Sequence, residues 1–284
     1  MAIEERILEV GGAPARLLAA GPRAGGRAPL LLVHGLQGLA DLWMPNLEAL
    51  AAPGRRVVAP DLPVHGGTAA PRRPADLSVG GFARFLAEAL DRLALARVDV
   101  VGHSLGGLLA ARLALDQPAR VRRLVLVSSA GLGRQVPLGT ALAFMGTAVR
   151  WVVVGPGRTP PGRVLRRICY DPTSIDVRLV ARLQGRWEDP LRRRALVRFA
   201  ARLVLREADV TRDLHRIEAP ALLVWGRHDR LIPFALGERA AARLPHARLV
   251  VLEACGHLPN LECPDLFNEI VGRFLDEADA ASSG

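Results

Sequence analysis

The stretch VDVVGHSLGGLLAA, residues 98–111, places one serine at the junction of two different apolar patterns. Val98–Val101 is a short run typical of a buried strand, and the Leu- and Ala-rich run from residue 105 onward is typical of a helix. Ser104 lies between them, flanked by Gly102 and Gly106. A turn this sharp strains its central residue and leaves no space for side chains beside it, a need that glycine meets. The stretch therefore predicts a serine hydroxyl raised above the end of a strand, at the positive end of a helix.

Short apolar runs alternate with helical patterns on both sides of this stretch. Continuous apolar runs are typical of strands that are buried on both faces of a sheet. The strand candidates are 30–33, 57–59, 98–101, 124–127, 222–225 and 249–252, and the helical candidates are 78–95, 105–116 and 264–277. Strands separated by helices predict a doubly wound, mostly parallel sheet. Two further runs, 7–10 and 16–20, predict an antiparallel hairpin on the sheet edge, which brings the sheet to eight strands.

The alternation stops between about Leu132 and Arg212, where helical candidates are interrupted by Gly- and Pro-rich turns. Sheet-like order resumes at Pro220. We therefore expect an α/β core in two parts, residues 1–132 and 213–284, with a helical cap inserted at 133–212. The insertion is expected over the carboxyl edge of the sheet, where ligands bind in such folds.

The serine needs two partners if it is a nucleophile. A hydroxyl is activated by an adjacent base, and a histidine base is oriented by a carboxylate. His257 follows the last strand candidate, and Asp229 follows the one before it, so the chain order is Ser, Asp, His. The other position for the acid, after 124–127, reads Ser-Ser-Ala-Gly-Leu-Gly and offers no carboxylate. We predict a catalytic triad of Ser104, Asp229 and His257.

A serine nucleophile that attacks a carbonyl also needs donors for the oxyanion that forms. The backbone N–H of Leu105 lies at the start of the predicted helix. The second donor is expected from the loop after strand 30–33, which reads His-Gly-Leu-Gln-Gly and whose glycines allow close approach. We predict the backbone N–H groups of Leu36 and Leu105 as the oxyanion hole.

An apolar acyl pocket is predicted from residues of the insertion and from the residue after the predicted base. The predicted substrate-binding residues are Leu142, Met145, Trp151 and Leu258. Core packing of the insertion would explain its apolar residues equally well.

The charge balance raises the question of a nucleic-acid partner. The 284 residues include 38 Lys and Arg, all of them arginine, and the formal net charge is +10. A nucleic-acid-binding domain clusters its basic residues on one face. Here the arginines are spread along the chain, and aromatic residues, only 4% of the total, do not interleave with them. We expect no nucleic-acid partner and interpret the arginine content as a coding bias.

The cysteine content and the apolar runs indicate in which compartment the protein is expected and whether a membrane span is expected. Three cysteines are too few for a disulfide framework, and the acidic start lacks a secretory signal, so we expect a cytoplasmic protein. Val136–Gly155 has the length of a membrane span, but Arg150 and three glycines interrupt it, and an amphipathic helix is favoured. We expect no membrane span, no metal and no cofactor, and a monomer or homodimer.

Several other polar residues are interpreted as structural. Asp61 precedes the serine in the chain and is expected to organise a loop, as is His34, and His103 is expected beneath the turn. Cys255 is interpreted as a small buried apolar residue. The histidines expected on the surface are His65, His215 and His246.

Taken together, these motifs resemble the α/β-hydrolase superfamily over nearly the whole chain. The matching segments are His34-Gly35, Asp61-Leu62-Pro63, Gly102-His103-Ser104-Leu105-Gly106-Gly107, Trp225-Gly226-Arg227-His228-Asp229 and Gly256-His257. The resemblance implies a helical cap between the sixth and seventh strands. Dehalogenases and epoxide hydrolases of the superfamily use Asp as the nucleophile, and the serine argues against both.

The motifs resemble two groups of the superfamily that catalyse different reactions. Cys255-Gly256-His257 with Glu262 looks like the C–C bond hydrolases that cleave meta-cleavage products, which usually carry Asn where this chain has His103. A histidine before the serine is more typical of esterases and lipases. We predict a carboxylesterase of small to medium acyl chains, acting on a small-molecule ester. The alternatives are a C–C bond hydrolase with the same triad and a non-catalytic, ligand-sensing member of the fold.

Overall fold

The centre of the fold is an eight-stranded sheet. The computed structural model describes residues 2–133, 168–176, 178–179, 181, 189–203 and 209–281. The strands are β1 (Glu4–Val10), β2 (Ala13–Ala20), β3 (Leu30–Val33), β4 (Val57–Pro60), β5 (Val98–His103), β6 (Val121–Val127), β7 (Ala221–Gly226) and β8 (Ala247–Leu252). Their order in the sheet is β1-β2-β4-β3-β5-β6-β7-β8. Strand β2 is antiparallel to both neighbours, and the other pairs are parallel. The predicted α/β fold is confirmed, with the hairpin on the edge.

Helices cover both faces of this sheet. Among the described residues, the α-helices are α1 (Met44–Ala51), α2 (Val79–Arg92), α3 (Leu105–Asp116), α4 (Pro190–Arg202), α5 (Ala235–Ala241), α6 (Pro259–Glu262) and α7 (Pro264–Ala281). Alternate residues of a strand point to opposite faces. In β3, Leu31 and Val33 accordingly join the core beneath α2, α3 and α5, whereas Leu30 and Leu32 join the core beneath α1 and α7. The continuous apolar runs in the sequence reflect this double burial.

The segment between β6 and β7 is the predicted insertion. Its described part contains α4, whose first turn is capped by Asp189: the carboxylate accepts from Leu191 N–H at 2.8 Å. Phe199 of α4 stacks on Phe82 of α2 with the ring centroids 4.3 Å apart. The two ends of the segment meet where the N–H of Val210 donates to the carbonyl of Gly131. The boundaries at 133 and 212 stay a prediction.

Candidate active site

Ser104 lies at the predicted junction between β5 and α3, in a strained conformation. Its φ is 54° and its ψ is −116°, and a non-glycine residue held in such a region costs about 1–3 kcal/mol. The surroundings fix this geometry, because the N–H of Ser104 donates to Val127 O at 2.9 Å and its carbonyl accepts from Ala130 N–H at 2.9 Å. The residue is partly exposed although both of its neighbours in the chain are buried. The fold therefore holds Ser104 in a strained conformation, partly exposed on a turn that is otherwise buried.

The flanking glycines are required by close backbone contacts. A Cβ at Gly102 would lie 2.2 Å from the carbonyl oxygen of Gly106, and a Cβ at Gly106 would lie 2.1 Å from the carbonyl oxygen of Val33. Neither contact is possible for a real side chain. The G-x-S-x-G pattern thus follows from the packing of α3 against β3 and β5.

Asp229 and His257 are brought together by the loops after β7 and β8. Nδ1 of His257 donates to Oδ2 of Asp229 at 2.8 Å. The other carboxylate oxygen accepts the N–H groups of Leu231 and Ile232 at 2.9 and 2.8 Å. Both side chains are buried. With Nδ1 carrying the proton, Nε2 of His257 keeps a lone pair that can accept one.

The loop that carries His257 is clamped by Glu262, a role that the sequence patterns did not indicate. One carboxylate oxygen of Glu262 accepts the N–H groups of Gly256 and Tyr170 at 3.0 and 2.7 Å, and the other accepts Leu258 N–H at 2.9 Å. The N–H of His257 itself donates to Ile168 O at 2.7 Å. A carboxylate five residues after the histidine, in the short helix α6, is the signal that could have indicated this clamp.

The loop after β3 packs directly against the turn at residues 102–106, called the elbow below. His34 shapes it, since Nδ1 donates to Gly35 O at 2.8 Å and Nε2 accepts Leu62 N–H at 3.0 Å. A Cβ at Gly35 would lie 3.0 Å from Cβ of Ser104. Within the described residues, no acceptor is found for the N–H of Leu36. Leu105 is the first residue of α3, and first-turn N–H groups have no partner within their helix. Both N–H groups have the character that an oxyanion donor needs.

Asp61 organises the same region from below, as expected. Its carboxylate accepts the N–H groups of Ala40 and Gly67, both at 2.7 Å, and Nη1 of the buried Arg16 at 3.1 Å. Nη1 of Arg16 also donates to Asp41 at 2.7 Å. This buried ionic cluster ties the loops after β3 and β4 to β2. The interpretation of Asp61 as structural fits these bonds.

One histidine expectation was wrong. His65 is fully buried rather than on the surface, with Nδ1 2.9 Å from Pro63 O and its ring 5.2 Å from that of His34. The chain folds the loop after β4 under α2, a tertiary placement that a lone polar residue in a loop does not reveal. His215 and His246 are exposed, as expected.

Cys255 is buried, in keeping with its interpretation as a small apolar residue. Burial raises the pKa of its thiol, so the residue is a poor nucleophile.

The predicted substrate-binding residues have different outcomes. Leu142, Met145 and Trp151 lie outside the described residues. Leu258 is buried in a small apolar cluster with Leu42, Cys169, Ile175 and Leu261. This cluster joins the loop of His257 to the segment around residue 170, and a pocket role for Leu258 stays a prediction.

The described part of the chain contains no group of three or more His, Cys, Asp or Glu side chains placed to hold a metal ion. None of its helices combines the length and the apolar character that crossing a membrane requires.

The comparison with known families agrees with this geometry. A family model described as the alpha/beta hydrolase fold matches residues 28–264, most of the chain. The chain belongs to the α/β-hydrolase family. The matched range includes the elbow and the loops of Asp229 and His257, the features that the resemblance rested on.

The relatives and solved structures that this chain resembles carry different names. This α/β hydrolase is 33% identical to a 2-hydroxy-6-oxononadienedioate/2-hydroxy-6-oxononatrienedioate hydrolase of Burkholderia vietnamiensis, over 88% of each chain. It superposes on a bacterial membrane phospholipase A with a TM-score of 0.81 and 26% identity, covering 97% of this chain and 86% of the other. It superposes on the enol-lactonase of Burkholderia xenovorans with a TM-score of 0.79 and 25% identity, covering 95% of this chain and all of the other.

Proposed function

We propose that this α/β hydrolase is a serine esterase that cleaves carboxylic esters with small to medium acyl chains. The observation that carries the proposal is the buried hydrogen bond between His257 and Asp229, on a loop that is hydrogen-bonded to His103, the residue before the strained Ser104. A carboxylate that orients Nδ1 of a histidine leaves Nε2 to act as a base, which is the arrangement that activates a serine.

The proposed reaction passes through an acyl-enzyme. Nε2 of His257 takes the proton of Ser104 as Oγ attacks the ester carbonyl, and a tetrahedral oxyanion forms. The N–H groups of Leu36 and Leu105 donate to that oxyanion. The intermediate collapses as the C–O bond to the alcohol breaks, and His257 gives its proton to the departing alkoxide. Water then attacks the acyl-enzyme by the same route, releasing the acid and restoring Ser104.

Ester hydrolysis is favoured over its rival by the residue before the serine. His103 occupies the position that is typically histidine in esterases and lipases and Asn in C–C bond hydrolases. The similarity to a phospholipase and an enol-lactonase supports the same choice, because both names describe hydrolysis at an acyl–oxygen bond.

The second candidate is a C–C bond hydrolase with the same three residues. The curated relative from Burkholderia vietnamiensis, at 33% identity, favours it. Its substrate would be a vinylogous 1,5-diketone, in which the bond that breaks joins two carbons. Cleavage of a meta-cleavage diketone at a rate exceeding that of every ester would favour this candidate.

The testing experiment is hydrolysis of p-nitrophenyl acetate, butyrate, octanoate and dodecanoate by wild type and Ser104→Ala. We expect turnover by wild type, with a preference for the shorter chains, and loss of at least about 10³-fold in the variant. Ser78→Ala is the matched control, since Ser78 caps α2 away from the elbow and its loss affects stability by only about 1 kcal/mol. No turnover by folded wild type would overturn the esterase proposal. If a fluorophosphonate also failed to label Ser104, a ligand-sensing role would be favoured instead.

A further inference from the structure

His103 connects the predicted nucleophile to the predicted base. Its backbone precedes Ser104 directly, and its Nε2 lies 2.8 Å from the carbonyl oxygen of His257, 154 residues later in the chain. The two imidazole rings are 4.9 Å apart at their centroids. The side chain of His103 is almost fully buried, with 4% exposed. One side chain thus spans the gap between the loop after β8 and the elbow.

The surroundings fix the hydrogen positions on this ring. A carbonyl oxygen can only accept, so Nε2 of His103 carries the proton and donates it. Nδ1 is then unprotonated and faces Gly35, where an added Cβ would lie 3.0 Å from Nδ1 and 3.0 Å from Cβ of Ser104. His103 therefore contacts all three parts of the proposed machinery: the loop of Leu36, the elbow and the loop of His257.

We propose that His103 is a positioning residue that sets the distance and orientation of His257 relative to Ser104 through the hydrogen bond to the His257 carbonyl. This inference rests on the proposed serine chemistry. The clamp by Glu262 and the Ile168 carbonyl holds the His257 loop from the side of residue 170, and His103 supplies a direct bond from the nucleophile side. Without it, the loop has no described hydrogen bond to the elbow itself.

The electrostatic environment suits this role. The titratable groups that act on His103 are His257, Asp229 and His34. Burial, together with the neighbouring His257, lowers the pKa of His103 to about 3. The ring therefore stays neutral when His257 takes up a proton, and it adds no repulsion to an imidazolium 4.9 Å away. A charged residue here would oppose the proton transfer that the reaction needs.

The test compares variants that remove or keep the donor. His103→Leu removes it, His103→Asn is too short to reach the carbonyl, and His103→Gln carries an N–H donor near the position of Nε2. We expect kcat for p-nitrophenyl butyrate to fall about tenfold in the Leu and Asn variants, equivalent to about 1.4 kcal/mol. KM should stay within about twofold of wild type, and the Gln variant should recover most of kcat. The rate of fluorophosphonate labelling of Ser104 should fall in parallel.

Controls separate this inference from the proposed function and from folding. His215→Leu makes the same substitution at an exposed position and should leave kcat unchanged. Thermal unfolding of each variant checks the fold, and if the Leu variant does not fold, the Asn and Gln pair makes the same comparison. An active wild type whose folded Leu or Asn variant matches it in kcat would overturn the role of His103 alone. Equal losses in Gln and Asn would do the same. An inactive, unlabelled wild type would instead overturn the proposed function.

Discussion

His257 donates from Nδ1 to Oδ2 of Asp229 at 2.8 Å, while Oδ1 of the same carboxylate accepts two backbone N–H groups. The two oxygens of Asp229 thus have separate tasks. One holds the loop after β7 in shape, and the other orients the imidazole. A substitution that changes only the group at Oδ2 can therefore alter the orientation of His257 and keep the hydrogen bonds that shape the loop after β7.

Asp229→Asn is expected to lower kcat by up to about 10⁴-fold, the loss seen when the carboxylate of a serine triad becomes an amide. The amide oxygen can keep accepting from Leu231 and Ile232, but the amide N–H₂ then faces Nδ1 and favours the tautomer with the proton on Nε2. Steady-state kinetics with p-nitrophenyl butyrate and a thermal melt would measure both effects. Asp213→Asn, which alters an exposed carboxylate paired with Arg216, is the control. Near-normal kcat in Asp229→Asn would contradict the assigned orientation.

Gly35→Ala is expected to reduce kcat at least tenfold. The added Cβ would lie 3.0 Å from Ser104 Cβ and from His103 Nδ1, so the loop that carries the Leu36 N–H must shift. An oxyanion donor contributes about 2.7–4 kcal/mol to transition-state stabilisation, and a displaced donor loses part of it. Gly26→Ala is the matched control because nothing lies within 4 Å of its Cβ. The measurement is kcat for both variants. Equal kcat values would show that the loop is not tied to the elbow.

Glu262→Gln is expected to destabilise the loop of His257. An amide replaces one of the two carboxylate oxygens by N–H₂, which cannot accept, so at least one of the three backbone N–H groups loses its partner at a cost of about 1–3 kcal/mol. Urea unfolding should show this loss together with a lower kcat. Glu269→Gln is the control, since Glu269 forms an exposed pair with Arg273 on α7. A lower kcat with unchanged stability would argue against a structural clamp.

The free energy of unfolding is expected to fall on mild acidification, because three histidines are buried in the neutral form. Burial lowers the pKa of His34 to about 4 and the pKa values of His65 and His103 to about 3. In the unfolded chain a histidine titrates near 6.5, so below that pH the unfolded state binds more protons and the free energy of unfolding decreases. This stability is fully present above pH 6.5. Each of the three should contribute a loss of about 2 kcal/mol between pH 7 and 5.

Urea unfolding at pH 7, 6 and 5 would measure this dependence. His65→Asn keeps a donor for the Pro63 carbonyl but removes one titrating group. It should therefore reduce the pH dependence by about one third, whatever its own stability at pH 7. A free energy of unfolding that stays constant from pH 7 to 5 would contradict the neutral, buried state of these histidines.

Sequence patterns predicted the strands and helices, because each pattern depends only on residues that are close together in the chain. The continuous apolar runs at 30–33 and 222–225 mark β3 and β7, since parallel strands are buried on both faces. The helix predicted over 105–116 matches α3 in both bounds. The burial of His65 was missed for the opposite reason: it depends on where the loop after β4 lies relative to α2, and a loop residue carries no periodicity that reports this.

What the sequence determined by itself is the order of the elements and the strained turn at Ser104, because apolar periodicity and glycine spacing are set by residues a few positions apart. Only the tertiary structure decided how distant groups meet. The bond from Asp229 to His257 spans 28 residues, and the bond from His103 to the His257 carbonyl spans 154. Such contacts form when the carboxyl ends of β5, β7 and β8 converge at one edge of the sheet. The hydrogen bonds of the loops that follow these strands, including the clamp by Glu262, then fix which polar atoms face each other.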